Sequence, residues 1–210
     1  FPVRPQRIVH DVREALGRED IVLCDTGAVK IWMARLFPTY APNTCLISNG
    51  LATMAFALPG AFAAKLVHPE RKVLAVMGDG AFLMSAAEIE TAVREKVHFV
   101  ILVWVDGGYG LIGWKQDIHF GRRSAVSFTN PDLVALAASF GAKGYAIEAA
   151  GDDAWPELGN DGVEPGRAGF HHLAGYPVGI DQDGTMADQA LSDGRLARSD
   201  PSSQPDAQHG

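Results

Sequence analysis

Two aspartates stand out as residues that could do chemistry, because each ends an apolar run of strand length and each is followed by glycine. Asp79 follows the run Val73–Gly78, and Asp106 lies 27 residues further on, after Phe99–Val105. In a doubly wound parallel sheet, both carboxylates would lie on loops at the C-terminal ends of neighbouring strands, where such folds bind ligands. Two hard oxygen ligands beside a glycine-lined helix N-terminus suit a magnesium ion that carries a diphosphate.

The elements that would position these acids are predicted from hydrophobic periodicity. Helical spacing predicts helices over 5–16, 29–36, 51–67, 82–96, 109–116 and 130–140, and apolar runs predict strands over 21–24, 44–48, 72–77, 98–105 and 143–147. Pro59 should kink or end the first part of its helix, and Asn130 is the expected N-cap of the last one. Continuous apolar strands that alternate with helices indicate an α/β fold, a doubly wound parallel sheet with helices on both faces.

The sequence changes character after Ala150. Residues 151–210 are rich in Gly, Asp, Ser and Pro and show no sustained apolar period. We therefore expect a domain over 1–150 and an atypical, irregular C-terminal tail over 151–210, which is either disordered or a foreign, frame-shifted sequence. The abruptness of the break favours the frame shift. We expect no strand from this tail, so that the strand near Tyr145 is left at an edge of the sheet.

Composition excludes several classes of partner. The net charge of −7 argues against nucleic acid and against an anionic membrane surface. No apolar run reaches transmembrane length, and the residues given first do not show the basic segment and apolar core typical of a signal peptide. Cys24 and Cys45 lie in apolar runs, and we interpret them as reduced core residues of a cytoplasmic protein. Because the chain starts at Phe1 rather than Met, we expect a fragment.

Several short motifs make the sequence recognisable. Gly78-Asp79-Gly80, followed after about 25 residues by an acid or amide before a turn, is the signature of thiamine-diphosphate enzymes, and it is accompanied by the motifs Ile47-Ser48-Asn49-Gly50, Thr53-Met54, Ala57-Leu58-Pro59, Glu88–Val93 and Trp104-Val105-Asp106. Together they resemble acetolactate synthase, especially its catabolic, FAD-independent type. The resemblance covers roughly residues 1–150 and corresponds to the C-terminal, diphosphate-binding domain of that family.

The resemblance implies a cofactor site of thiamine diphosphate and Mg²⁺. It implies that Asp79, Asp106 and the backbone carbonyl of Gly108 bind the metal. It also assigns the diphosphate to two loops, whose residues are Gly78, Gly80 and Ala81 at one helix start and Thr26, Gly27 and Ala28 at another. Without the resemblance, these acids would be ordinary turn residues and these loops ordinary strand-to-helix turns.

The resemblance also implies roles around the reacting end of the cofactor. Met54 would wedge under the cofactor and force its V shape, and Ala52 would offer a backbone carbonyl to the aminopyrimidine, at a position where many relatives have glycine. Leu111 and Ile112 would line a water-poor pocket. Lys115 departs from the family pattern, being either a solvated helix lysine or a cation for the carboxylate of the acceptor substrate, and this departure leaves the substrate open.

The full-length enzyme implied by the resemblance condenses two pyruvates to acetolactate and CO₂ through a thiamine-diphosphate carbanion. The activating glutamate of the family belongs to an N-terminal, pyrimidine-binding domain of the partner subunit in a homodimer or homotetramer. No part of this chain resembles that domain, so we expect no catalytic residue here and an inactive fragment. The alternatives are another thiamine-diphosphate 2-oxoacid decarboxylase or carboligase, and a truncated, non-catalytic remnant. Whether an FAD-binding middle domain lies upstream stays open.

Overall fold

A parallel β-sheet forms the centre of the fold. The computed structural model describes residues 4–147 and the backbone of residues 169–174. The strands in these two ranges are β1 (Ile21–Cys24), β2 (Cys45–Ile47), β3 (Val73–Gly78), β4 (Val100–Val105), β5 (Lys143–Ile147) and β6 (Gly169–Ala174). They pair in the order β2-β1-β3-β4-β6-β5, and every pair is parallel. The predicted α/β class with a doubly wound parallel sheet is confirmed.

Helices cover both faces of this sheet. They are α1 (Pro5–Ala15), α2 (Ala28–Leu36), α3 (Ala57–Val67), α4 (Asp79–Ser85), α5 (Glu88–Arg94), α6 (Gly110–Phe120) and α7 (Leu133–Ser139). Among the helices described here, none has the length and apolar character needed to cross a membrane.

Alternation of side chains along the strands divides the core into two layers. On β1, Leu23 packs into the layer that includes residues of α3, α4, α5 and α7, whereas Val22 packs into the layer that includes residues of α1 and α2. Both side chains are almost completely buried. The central strands therefore carry apolar residues on both faces, which is why they read as continuous runs in the sequence.

Four predicted helices differ from the observed ones. α6 ends at Phe120 rather than near 116, and α7 begins at Leu133 rather than at 130. The helix expected over 51–67 begins only at Ala57, because the preceding segment turns through left-handed backbone at Ala52 (φ 51°) and Ala55 (φ 66°). Pro59 consequently lies in the first turn of α3, where proline is tolerated, and it neither kinks nor ends the helix. The helix expected over 82–96 is divided into α4 and α5, and α4 already starts at Asp79.

The expectation that the tail beyond residue 150 adds no strand is wrong. The backbone of β6 pairs with β4 on one side and with β5 on the other. Strand pairing is made by backbone groups, which a search for apolar side chains does not register. The edge position expected for the strand near Tyr145 is confirmed, because β5 is the last strand in the sheet order. The interpretation of the remaining tail as disordered or frame-shifted falls on residues outside the described ones.

Candidate functional site

The two acids singled out in the sequence lie together at the C-terminal edge of the sheet. Asp79 directly follows β3 and Asp106 directly follows β4, and these strands are neighbours with Gly78 paired to Trp104. The Asp79 Oδ2 atom accepts hydrogen bonds from the backbone N–H groups of Asp106 at 3.2 Å and Gly107 at 2.8 Å. The loops after the two strands are thus joined through one carboxylate.

Asp79 is held in a single orientation by neutral donors. The side chain is almost fully buried, with 1% of its surface exposed. Its Oδ1 atom accepts from the backbone N–H of Gly80 at 2.8 Å, and its Oδ2 atom also accepts from the Asn130 side-chain amide at 2.6 Å. Because all these donors are uncharged, they orient the carboxylate but leave its negative charge to attract a cation.

Asp106 is the more exposed member of the pair. Partial desolvation of its carboxyl group, the negative charge of Asp79 and a hydrogen bond with Asp79 together raise the pKa of Asp106 to about 7. The backbone N–H of Gly108 donates to Asp106 Oδ1 at 3.4 Å, which partly opposes the increase. Two carboxylates that repel each other in this way form a favourable site for a divalent cation, which removes the repulsion.

Glycines allow the site loops to approach closely. A Cβ atom at Gly80 would lie 2.7 Å from the Tyr109 ring, and one at Gly108 would lie 2.8 Å from the carbonyl oxygen of Val126. A Cβ at Gly78, by contrast, would meet nothing within 4 Å. The space beside Gly78, next to Gly80 and Ala81 in the first turn of α4, therefore forms an open cradle that suits a phosphate group.

The second predicted diphosphate loop lies at the end of β1, which pairs with β3. Gly27 precedes α2 with φ 147°, and Ala28 is the first residue of the helix. The Thr26 hydroxyl oxygen is buried and has no hydrogen-bond partner among the described residues. A buried hydroxyl without a partner is costly, and a phosphate oxygen bound in this loop would satisfy it. Thr26 and the Gly78 cradle thus fit the diphosphate that the sequence resemblance implies.

Met54 and Ala52 lie in the turn before α3 rather than on a helix. Met54 is half-buried and packs against the core layer that contains α3 residues. Ala52 adopts left-handed backbone, a conformation that glycine takes without steric cost. This conformation gives a physical reason for the glycine that the family resemblance implies at this position.

The three predicted pocket residues lie on α6, which begins four residues after Asp106. Leu111 is half-buried, Ile112 is 45% exposed and Lys115 is exposed. Their predicted contacts with substrate stay predictions, although their helix starts beside the metal-site loop.

Sequence reasoning missed two polar residues of this region. Asn130 was expected to cap α7, but Asp132 is the cap and accepts from the Ala135 N–H at 2.9 Å. Asn130 instead binds Asp79, and its own Oδ1 atom is buried without a partner among the described residues. The sequence Asn-Pro-Asp offers two equally good caps, so only the three-dimensional contact reveals this role.

Asp25 is the second missed residue. It directly follows β1 and is completely buried, and its sequence context alone assigned it no function. Its Oδ1 atom accepts from the N–H groups of Thr26 at 2.8 Å and Ala55 at 3.0 Å, and its Oδ2 atom accepts from Ala57 N–H at 2.8 Å. Burial raises the pKa of Asp25, whereas these backbone donors favour its charged form.

Comparison with known proteins agrees with this geometry. Residues 25–159 match the family model described as "Thiamine pyrophosphate enzyme, C-terminal TPP binding domain". The chain therefore belongs to the thiamine pyrophosphate enzyme family and carries its C-terminal cofactor-binding domain. The match reaches slightly beyond the limit of 150 expected from the sequence motifs.

Individual proteins of this family show which of its members the chain is similar to. The chain is 47% identical to "Acetolactate synthase" of Bacillus subtilis over 69% of its own length and 25% of that protein. It is 39% identical to "Acetolactate synthase, catabolic" of Raoultella terrigena over 71% of its length and 27% of that protein, and 36% identical to the "Putative thiamine pyrophosphate-containing protein YdaP" of Bacillus subtilis. The expected resemblance to acetolactate synthases is confirmed. The chain spans about a quarter of the length of these relatives.

Proposed function

We propose that the chain is the cofactor-binding part of an acetolactate synthase that condenses two pyruvates to acetolactate and CO₂. The observation that carries the proposal is the joining of Asp79 and Asp106 through backbone bonds at the ends of adjacent strands. The 47% identity to a protein named acetolactate synthase gives the proposed reaction its class. Bound thiamine diphosphate would supply the nucleophilic carbon and the electron sink that decarboxylation of a 2-oxoacid requires.

In this proposal the chain binds and orients the cofactor. The carboxylates of Asp79 and Asp106, with the Gly108 carbonyl oxygen, would hold Mg²⁺. The diphosphate would lie against two loops that offer backbone N–H groups and one hydroxyl, contributed by Thr26, Gly27, Ala28, Gly78, Gly80 and Ala81. Met54 and the Ala52 carbonyl would contact the rings of the cofactor.

The α6 residues would act on the substrate side. Leu111 and Ile112 would exclude water around the reacting carbon, which favours loss of CO₂. The exposed Lys115 ammonium would pair with the carboxylate of the acceptor. We propose that the assembly is completed by a pyrimidine-binding domain of a partner subunit in a homodimer or homotetramer. We also propose a cytoplasmic location, with Cys24 and Cys45 kept as the free thiols found here.

A domain exchange tests the reaction. Residues 25–147 would replace the matching segment of the Bacillus subtilis acetolactate synthase, and products from pyruvate would be quantified. Acetolactate formation supports the proposal. The matched variant Lys115→Gln, which removes the charge and keeps a polar side chain, should raise the KM for the acceptor pyruvate if Lys115 pairs with it. Release of CO₂ without acetolactate would instead indicate another decarboxylase or carboligase. The departure of Lys115 from the family pattern is the observation that favours this alternative.

Magnesium affinity should fall as the pH is lowered through about 7. Asp106 has its pKa raised to about 7 without metal, so below that pH a proton must leave before both carboxylates can bind Mg²⁺. Titration calorimetry of Mg²⁺ with thiamine diphosphate at pH 6 and pH 8, in buffers of different ionisation enthalpy, would count the protons released. Proton release at pH 6 that Asp106→Asn removes is the expected result, and pH-independent affinity would contradict it.

A further inference from the structure

One buried carboxylate connects the two loops that would hold opposite ends of the cofactor. Asp25 accepts from Thr26 N–H in the loop after β1. It also accepts from the N–H groups of Ala55 and Ala57, which follow Met54 at the start of α3. The latter two residues lie 30 and 32 positions away along the chain. The connection is therefore a tertiary contact between the diphosphate loop after β1 (residues 26–28) and the turn before α3 (residues 52–56), which we call the Met54 turn.

The Met54 turn needs such an external partner. Ala52 and Ala55 both have positive φ, a backbone conformation that residues with a Cβ atom disfavour. Asp25 accepts at both carboxylate oxygens and offers no donor when ionised. An asparagine of the same shape would direct an N–H group at one of these backbone donors. The carboxylate is thus matched to the turn in a way that its amide is not.

We propose that Asp25 is a positioning residue that sets the distance between the diphosphate loop and Met54, so that both ends of thiamine diphosphate are bound at once. The identity of the ligand rests on the proposed function. The connection itself rests only on the three hydrogen bonds and on the complete burial of Asp25.

The chain contains a matched control acid at the opposite end of β1. Asp20 accepts from the backbone N–H groups of Gly17 at 2.6 Å and Lys72 at 2.9 Å, so it performs the same kind of loop connection away from the site. Comparing Asp25→Asn with Asp20→Asn separates a role in ligand spacing from the general cost of losing a carboxylate that joins two segments through backbone N–H groups.

The experiment compares two probes on the full 210-residue chain, thiamine diphosphate and inorganic pyrophosphate, each with Mg²⁺ in a calorimeter. Pyrophosphate engages only the diphosphate end. Asp25→Asn should lower the affinity for thiamine diphosphate by about tenfold or more, which is the usual effect of losing a contact that supports a binding residue. The affinity for pyrophosphate should stay nearly unchanged. Asp20→Asn should change neither. Equal weakening of both probes, or of neither, by Asp25→Asn would overturn the proposal.

Amide hydrogen exchange gives a readout that needs no ligand. Asp25→Asn should accelerate exchange at Ala55 and Ala57, whereas Asp20→Asn should not. If the unmodified chain binds neither probe, the proposed function fails, and this exchange difference still decides the connection. If Asp25→Asn does not fold, amide exchange in the unmodified chain still tests the connection. The Ala55 amide must then exchange more slowly than the Leu51 amide in the same segment. Equal exchange at these two amides would contradict the connection.

Discussion

Replacing Asp106 with alanine should abolish magnesium-dependent binding of thiamine diphosphate, and Asp79→Ala should do the same. Each substitution removes a charged oxygen ligand, and the expected loss exceeds the roughly 10- to 100-fold that outer contacts of a metal site contribute. Asp106→Ala is the cleaner variant, because the residue is exposed and accepts one weak backbone bond at 3.4 Å. Isothermal titration with and without Mg²⁺ measures the effect.

Asp117→Ala is a suitable control for the loss of one negative charge. Asp117 lies on α6, has a side chain that is 41% exposed and pairs with Arg123, so its removal should leave cofactor affinity unchanged. Circular dichroism would show whether Asp79→Ala still folds, since its carboxylate accepts four hydrogen bonds. Unchanged affinity in both site variants would remove the metal site from the proposed function.

The 210-residue chain alone should form no measurable acetolactate from pyruvate, even with saturating thiamine diphosphate and Mg²⁺. The acid–base glutamate expected from a partner domain would by itself contribute about 10²- to 10⁴-fold. The loss should be larger than that, because the surface that closes over the cofactor would be missing as well. A colorimetric acetoin assay after acid treatment of the reaction measures the product.

The Bacillus subtilis relative, assayed in parallel, serves as the positive control. Adding the segment of that relative that precedes the matched region, as a separate polypeptide, should raise the rate if the two parts associate. Robust turnover by the 210-residue chain alone would contradict the prediction and would require a catalytic acid within this sequence.

The joining of the two acids was predictable because it depends on a simple periodicity. Each acid ends a continuous apolar run, and parallel strands bring their C-terminal ends to one edge of the sheet. The same patterns predicted strands β1 to β5 within two residues at each end, and helices α1 and α2 within one residue. Leu23 and Val22 illustrate why, since a strand buried on both faces must be apolar at every position.

The details of the turns were not predictable in the same way. Small apolar residues from Leu51 onward suggested a helix, but the left-handed backbone at Ala52 and Ala55 delays its start to Ala57. Local propensity cannot predict the hydrogen bond from Ala55 to Asp25 or the one from Asn130 to Asp79. Each of these bonds joins residues that are at least 30 positions apart in the sequence. β6 escaped prediction because strands pair through backbone groups, which a search for apolar periodicity does not register.

The left-handed backbone at Ala52 and Ala55 limits how this region can drift during evolution. This conformation costs alanine about 1–2 kcal/mol and β-branched residues more, so selection acts on the main chain rather than on the side chain. Substitution of alanine by glycine should therefore be tolerated at both positions, whereas substitution by valine or isoleucine should be destabilising. The conformation of the main chain can thus restrict the residue type at a position, whatever its side chain contacts.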